Sequence, residues 1–199
     1  TLTAHDGHGN THTCSATVTG VHMQPPLPVV YVDDGYVGLT NGTIVKFPYL
    51  GIGADHVIGC DAFTNIQGGI AAVNVGGTVN VAAGMYTENV SIAKSVILMG
   101  AQSGVDARGR SASESIVIPA VTGTATFTVS FNGLLTIDGF SFSGGTALGV
   151  IQTTVGPNNN MQIVNNRFSG YSQSAVFMNR GGADITLAKN VMDGANIAG

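Results

Sequence analysis

Three stretches share one order of apolar and polar positions: Leu135–Gly144, Met161–Gly170 and Ile185–Gly194. Aligned on the closing glycine, they stand 26 and 24 residues apart. Apolar residues fall in common columns, Leu135/Met161/Ile185, Ile137/Ile163/Leu187 and Phe142/Phe168/Met192. The first two columns lie two residues apart, the spacing of side chains on one face of a strand. Helical spacing is absent from these units. A period in the mid-twenties built from strands predicts a solenoid of stacked rungs. Each rung then buries its inward residues by stacking on the next, so all these column residues are expected to face inward.

Upstream of the repeats the pattern predicts strands at Val29–Val32, Thr78–Ala82, Val90–Ile92, Val96–Met99, Ser115–Ile118 and Phe127–Phe131. One helix is predicted over 61–73. Asp61 is its expected N-cap, and Phe63, Ile66, Ile70 and Val73 form its apolar stripe. Gly68-Gly69 weakens that helix, and Gly76-Gly77 is expected to end it. Residues 33–60 show no clear period. Residues 101–115, with Asp106, Arg108, Arg110 and Glu114, read as a polar excursion from the rungs.

At the N-terminus, Gly7-His-Gly-Asn10 is turn chemistry inside a predicted hairpin over 1–22. From Thr11 the residues alternate, placing Cys14, Ala16 and Val18 on one strand face. Asp6, Gly9, Asn10, Thr11 and Cys14 match a D-x-x-G-N-T-x-x-C motif. Here the chain resembles the last two strands of the HYR domain, an immunoglobulin-like extracellular module. The prolines of Gln24–Pro28 follow as a stiff linker.

The stretches Asp61–Gln67, Gly77–Val90 and Lys94–Gln102 resemble the start of a right-handed parallel β-helix of the pectate-lyase-like superfamily. The resemblance implies an all-β solenoid over about 61–199, with helix 61–73 capping its N-terminal end. Residues 1–23 then form Ig-like terminal strands, and 24–60 a linker and irregular segment. The fold hosts lyases, hydrolases, adhesins and phage fibres, so it implies no single activity.

Composition narrows the function. Charged residues make up 9% of the 199, against about 25% in an ordinary globular domain. Net charge is −4, and 7 Lys+Arg form no basic stripe, which argues against a nucleic-acid partner. No apolar run is long enough for a helical membrane span. The two cysteines, Cys14 and Cys60, in a low-charge, Gly- and Thr-rich chain fit an oxidising compartment. A Cys14–Cys60 disulfide is one candidate; two unrelated buried thiols are the other.

Candidate chemistry is sparse. Lyases and hydrolases on this fold place carboxylates on adjacent rungs. Here Asp138 shares a column with Val164 and Ala188, and Asp193 with Ser143 and Ser169, while Asp184 precedes the aligned block. Arg167, Arg180 and Lys189 could each abstract a proton, but none has an acidic partner evident in sequence. These charges read as isolated and solvated, and no catalytic residue, cofactor or metal is assigned. His5, His8 and His12 match no tight metal spacing, and His22 and His56 carry no inference. Calcium at Asp33-Asp34-Gly35 or Asp106 competes with ordinary turn chemistry. Asn166 and Asn190 share a column and are expected to stack and satisfy turn backbone.

The expectation is a non-enzymatic extracellular or cell-surface protein. It would be a subunit of a bacterial surface filament or sheath, self-associating into a homopolymer by head-to-tail stacking and strand exchange. The chain starts at Thr rather than Met, and Ala195–Gly199 looks like the middle of a rung, so a longer chain or a covering subunit is expected. A β-helix module of a large adhesin binding glycan is the alternative, and a polysaccharide lyase or glycoside hydrolase the second.

Overall fold

The computed structural model describes residues 2–5, 11–14, 27–145, 148–155, 160–179 and 184–194; in the first two segments only the backbone is described. The N-terminal hairpin pairs β1 (Leu2–His5) with β2 (Thr11–Cys14), antiparallel, with Leu2 opposite Cys14. Ala16 and Val18 lie outside the described residues.

β3 (Leu27–Val32) leads into a 3-10 turn at Asp34–Tyr36. The segment 33–60, without period in sequence, then builds an antiparallel hairpin of β4 (Ile44–Lys46) and β5 (Asp55–Val57). Tyr36, Val45, Ile58 and Ala62 give this part a small core of its own. β6 (Ala62–Phe63) returns to pair in parallel with β3.

The helix α1 spans Ile66–Ala72, shorter than the expected 61–73. Its N-cap is Asn65, whose side chain accepts from the Gly68 N–H, and not Asp61. Strand pairing wins at both ends, because Ala62–Phe63 belong to β6 and Val73 opens β7. Gly69 is required by packing: a Cβ there would stand 2.7 Å from the Val32 side chain and 3.0 Å from that of Val79. Gly76-Gly77 does not end the helix. It lies in β7, where the pairing jumps from Leu27–Val73 to Val29–Thr78, and Gly76 takes φ +78° to make the irregularity.

The rungs follow. β7 (Val73–Val81), β8 (Gly84–Thr87) and β9 (Val90–Ile92) form the first. β10 (Val96–Met99), β11 (Ser115–Ile118) and β12 (Phe127–Val129) form the second. β13 (Leu135–Asp138), β14 (Phe140–Ser143) and β15 (Ile151–Thr153) form the third. β16 (Met161–Val164), β17 (Arg167–Ser169) and β18 (Val176–Met178) form the fourth. β19 (Ile185–Ala188) and β20 (Val191–Asp193) begin a fifth.

The chain visits three parallel sheets in rotation. Their orders are β6-β3-β7-β10-β13-β16-β19, β8-β11-β14-β17-β20 and β9-β12-β15-β18. This is an all-β architecture of stacked parallel sheets, consistent with a β-helix-like solenoid. The predicted columns are true registers: Leu135, Met161 and Ile185 pair, as do Ile137, Ile163 and Leu187, and Phe142, Phe168 and Met192. Inner members are buried, and Phe142 stacks on Phe168 at 5.0 Å between centroids. The outer members depart from expectation. Leu187 is 49% and Met192 45% exposed, and Ile185 is only partly buried. A column residue is sealed by rungs on both sides, and no described rung follows β19 and β20.

Candidate functional site

Several charged groups are engaged with the fold. Asp138 accepts from Ser103 Oγ (2.7 Å), the Gly104 N–H (3.0 Å) and Asn165 Nδ2 (2.7 Å), anchoring the excursion. Asp33 accepts from the N–H of Gly35 and of Tyr49, both at 2.8 Å. Asp106 is clasped by exposed Arg108, which holds its carboxyl well below the usual range. Asp184, Lys189 and Asp193 are exposed, and Arg180 and His8 lie outside the described residues.

Two arginines meet Glu114: Arg110 of the excursion, and Arg167, expected to stand isolated. The side chain of Arg110 is 2% exposed. It makes a bidentate pair with Glu114, both bonds 2.8 Å, and donates to the carbonyls of Val105, Phe140 and Asn165. Arg167 does have an acidic neighbour, with Nη1 3.7 Å from Glu114 Oε1 and 3.2 Å from the Arg110 carbonyl. These partners lie up to 57 residues apart, beyond the reach of local spacing. The trio ties the excursion to the third and fourth rungs. Among the described residues no three His, Cys, Asp or Glu side chains gather to hold a metal.

Asn166 and Asn190 form bonds along the stack. Asn166 accepts from the Phe140 N–H (2.9 Å) and donates to the Ile137 carbonyl (2.8 Å). Asn190 repeats this one rung later, with the Asn166 N–H (2.8 Å) and the Ile163 carbonyl (2.7 Å). Each amide satisfies one donor and one acceptor at a corner that the sheets cannot serve.

Side chains also meet the strands that begin the smaller sheets. Asp34 accepts from the Met85 N–H of β8 at 2.8 Å. Gln67 of α1 pairs with Ser91 of β9 as a strand would, accepting its N–H (2.7 Å) and donating to its carbonyl (3.3 Å). Glu88 accepts from the N–H groups of Ile66 and Gln67 at the start of α1. Lys94 donates to the Ala71 and Val73 carbonyls at its end, and burial lowers its pKa. Both charges complement the helix dipole. Local spacing gave no sign of this pairing, since Glu88 and Lys94 lie 21 to 23 residues from the groups they hold.

The β4–β5 hairpin presents a second surface. His56 packs on Tyr31 at 3.8 Å between ring centroids and bonds Asp61 at 2.8 Å, bracing its base. Cys60 nearby is a partly exposed free thiol, while the side chain of Cys14 lies outside the described residues. At the hairpin tip, Leu50 is 83% exposed and Ile52 fully so. Beside it lies a cleft of about 540 Å³, between Phe47-Pro48 and residues of β7, β10 and the excursion. Among the described residues no ionisable side chain lines it.

Comparison with family models, curated proteins and solved structures found no match. The function therefore rests on these surfaces: an exposed apolar rung, a β-hairpin ahead of the rungs, and an apolar tip beside a cleft.

Proposed function

We propose that this chain is a non-enzymatic, extracellular structural protein. Its rungs form a right-handed parallel β-helix that stacks head to tail into a surface filament or sheath. Parallel crossovers favour the right hand. In this reading α1, with Ile66 and Ile70 in the main core and Gln67 on β9, caps the starting end.

One observation carries the reading. The columns sealed at Ile163 and Phe168 continue in register to Leu187 and Met192, which stand half in solvent. A further layer set on them would remove apolar surface from water and occupy the edges of β19 and β20. A second subunit supplies that layer, and the N-terminal hairpin, the remnant of an Ig-like strand pair, exchanges across the junction through the face of Cys14, Ala16 and Val18. A contact between two different surfaces does not close, and so grows a filament.

The test is light scattering and electron microscopy of the full chain against a variant lacking residues 1–24. The full chain should form filaments, and the variant should keep its circular dichroism yet stay dispersed. Equal polymerisation of both would remove strand exchange. A full chain that stays monomeric at high concentration would remove the filament and favour a β-helix module of a large adhesin.

A further inference from the structure

The loop 47–53 displays apolar side chains at a structural cost. Leu50 takes φ +61°, a left-handed conformation that glycine or asparagine adopts with less strain. Its neighbours fix it there. The Tyr49 N–H is held by Asp33, the Gly51 N–H donates to the Pro48 carbonyl at 2.8 Å, and the Tyr36 and Tyr49 rings meet edge to face. A Cβ on Gly51 would stand 2.7 Å from the Pro48 oxygen, and one on Gly53 2.6 Å from the Phe47 oxygen. So the chain winds tightly on two glycines, and pushes Leu50 and Ile52 outward between them. Ile44 is exposed too, lining the same shallow depression as Leu50.

The adjoining cleft has complementary chemistry. Phe47 and Pro48 form one wall, and Ala82, Ala83, Met99 and Ala101 lie across from it. Tip and cleft are both uncharged and share the Phe47-Pro48 wall.

We propose that a second copy of this chain occupies the cleft, each protomer inserting Leu50 and Ile52 into the other across a two-fold axis beside Phe47-Pro48. Adjacent knob and hole on one surface are what a self-complementary contact needs. A lipid surface fits less well. Lys46, beside the loop, is paired with Asp55 at 2.6 Å, and Asp33 binds the loop from behind, so among the described residues the tip offers no free cation to anionic headgroups. Two such insertions make a small interface, so the pair should be weak, dissociating in the micromolar range. This contact is lateral and shares no residue with the stacking surface of β19 and β20, so it stands whether or not the filament does.

The experiment is sedimentation velocity over rising concentration on the full chain carrying Leu187→Asp, which disables axial stacking. Dimers should form in that background. Leu50→Asp with Ile52→Asp should abolish them, and so should Ala101→Asp alone, all at exposed positions that leave circular dichroism and melting unchanged. The two kinds of variant mixed should dimerise weakly, because one intact knob then meets one intact cleft. A monomer in the Leu187→Asp background, or dimers indifferent to Leu50 and Ile52, would overturn the proposal. So would a monomer that floats with phosphatidylcholine vesicles in a Leu50-dependent way, which would make the tip a lipid contact. Failure of the filament alone would show instead as full-length chains that pair but do not polymerise.

Discussion

The two ends of the stack treat the same apolar columns differently. At the first end, Ile66 and Ile70 of α1 share one core with Val30, Val32 and Val79, and side chains of Asp34 and Gln67 bond the starting strands of two sheets. At the other, Leu187 continues the column of Ile137 and Ile163 in perfect register, yet is half exposed. The residue types are nearly the same. Burial is therefore a property of having a neighbour on both sides, and the two ends can be told apart by what substitutions cost.

The largest difference should come from charge in an inner column. Ile163→Asp buries an unpaired carboxylate between β13 and β19 and should cost about 4 kcal/mol or more, enough to unfold the chain. Thermal melting followed by circular dichroism reads it. A variant melting within a few degrees of wild type would mean that the rungs open easily and that burial is not set by stacking.

Next is Arg110→Ala. It strands Glu114 and three carbonyls in the corner between the excursion and the rungs, a loss of about 3–5 kcal/mol for a broken buried pair. Arg108→Ala should leave melting unchanged, since its partner Asp106 is solvated. Two arginines two residues apart thus make opposite predictions. A similar melting temperature for both would place Arg110 in solvent.

That contrast marks how far the sequence can be read. The columns of Leu135, Ile137 and Phe142 were legible because strand periodicity is local and repeats. The Asn166–Asn190 column was legible for the same reason. The burial of Arg110 was not, because Glu114 is close in sequence but Phe140 and Asn165 are 30 and 55 residues away. The start of α1 was misplaced because Asp61 resembles an N-cap, while its carboxylate is in fact taken by His56 and the Val57 N–H. The hairpin of β4 and β5, the exposed Leu50 tip and the cleft had no signal in periodicity, since two short strands and a glycine-wound loop look like any irregular segment.

The first end should also respond to alkali. Burial, with the Asp33 charge adding to it, pushes the Tyr86 and Tyr36 phenols above their ordinary range. Tyr86 donates to the Ala82 carbonyl at 3.0 Å. A pKa raised on folding gives stability that is complete below the unfolded value, about 10, and is lost as pH rises toward the folded one. Melting temperature should therefore fall from about pH 10 upward. Tyr86→Phe should flatten that fall, and an unchanged slope in that variant would mean that other groups carry it.

A smaller effect belongs to Glu88→Ala. The carboxylate holds two N–H groups at the start of α1, so its loss should cost about 1 kcal/mol, most of it local. Hydrogen exchange at Ile66 and Gln67 should quicken while the amides of β13 and β16 stay protected. Uniform loss of protection would mean that the first end and the inner rungs unfold as one unit.

The smallest effect on the monomer should be Leu187→Asp, which changes the same column as Ile163→Asp. With half its surface already in water, Leu187 has less burial to lose, and the new carboxylate can remain solvated. The cost to folding should be under about 1 kcal/mol, against about 4 or more at Ile163. Its effect on assembly should be the reverse. If a second subunit stacks on β19, the carboxylate is trapped there unpaired, and polymerisation should fail even though the monomer melts almost as before. Salt should not rescue it, because the penalty is desolvation rather than long-range repulsion. Light scattering beside a melting curve separates the outcomes. A variant that melts normally and still polymerises would leave the exposed rung without a partner. A variant that unfolds outright would show that Leu187 is covered in solution even without assembly, by a further layer of the same molecule.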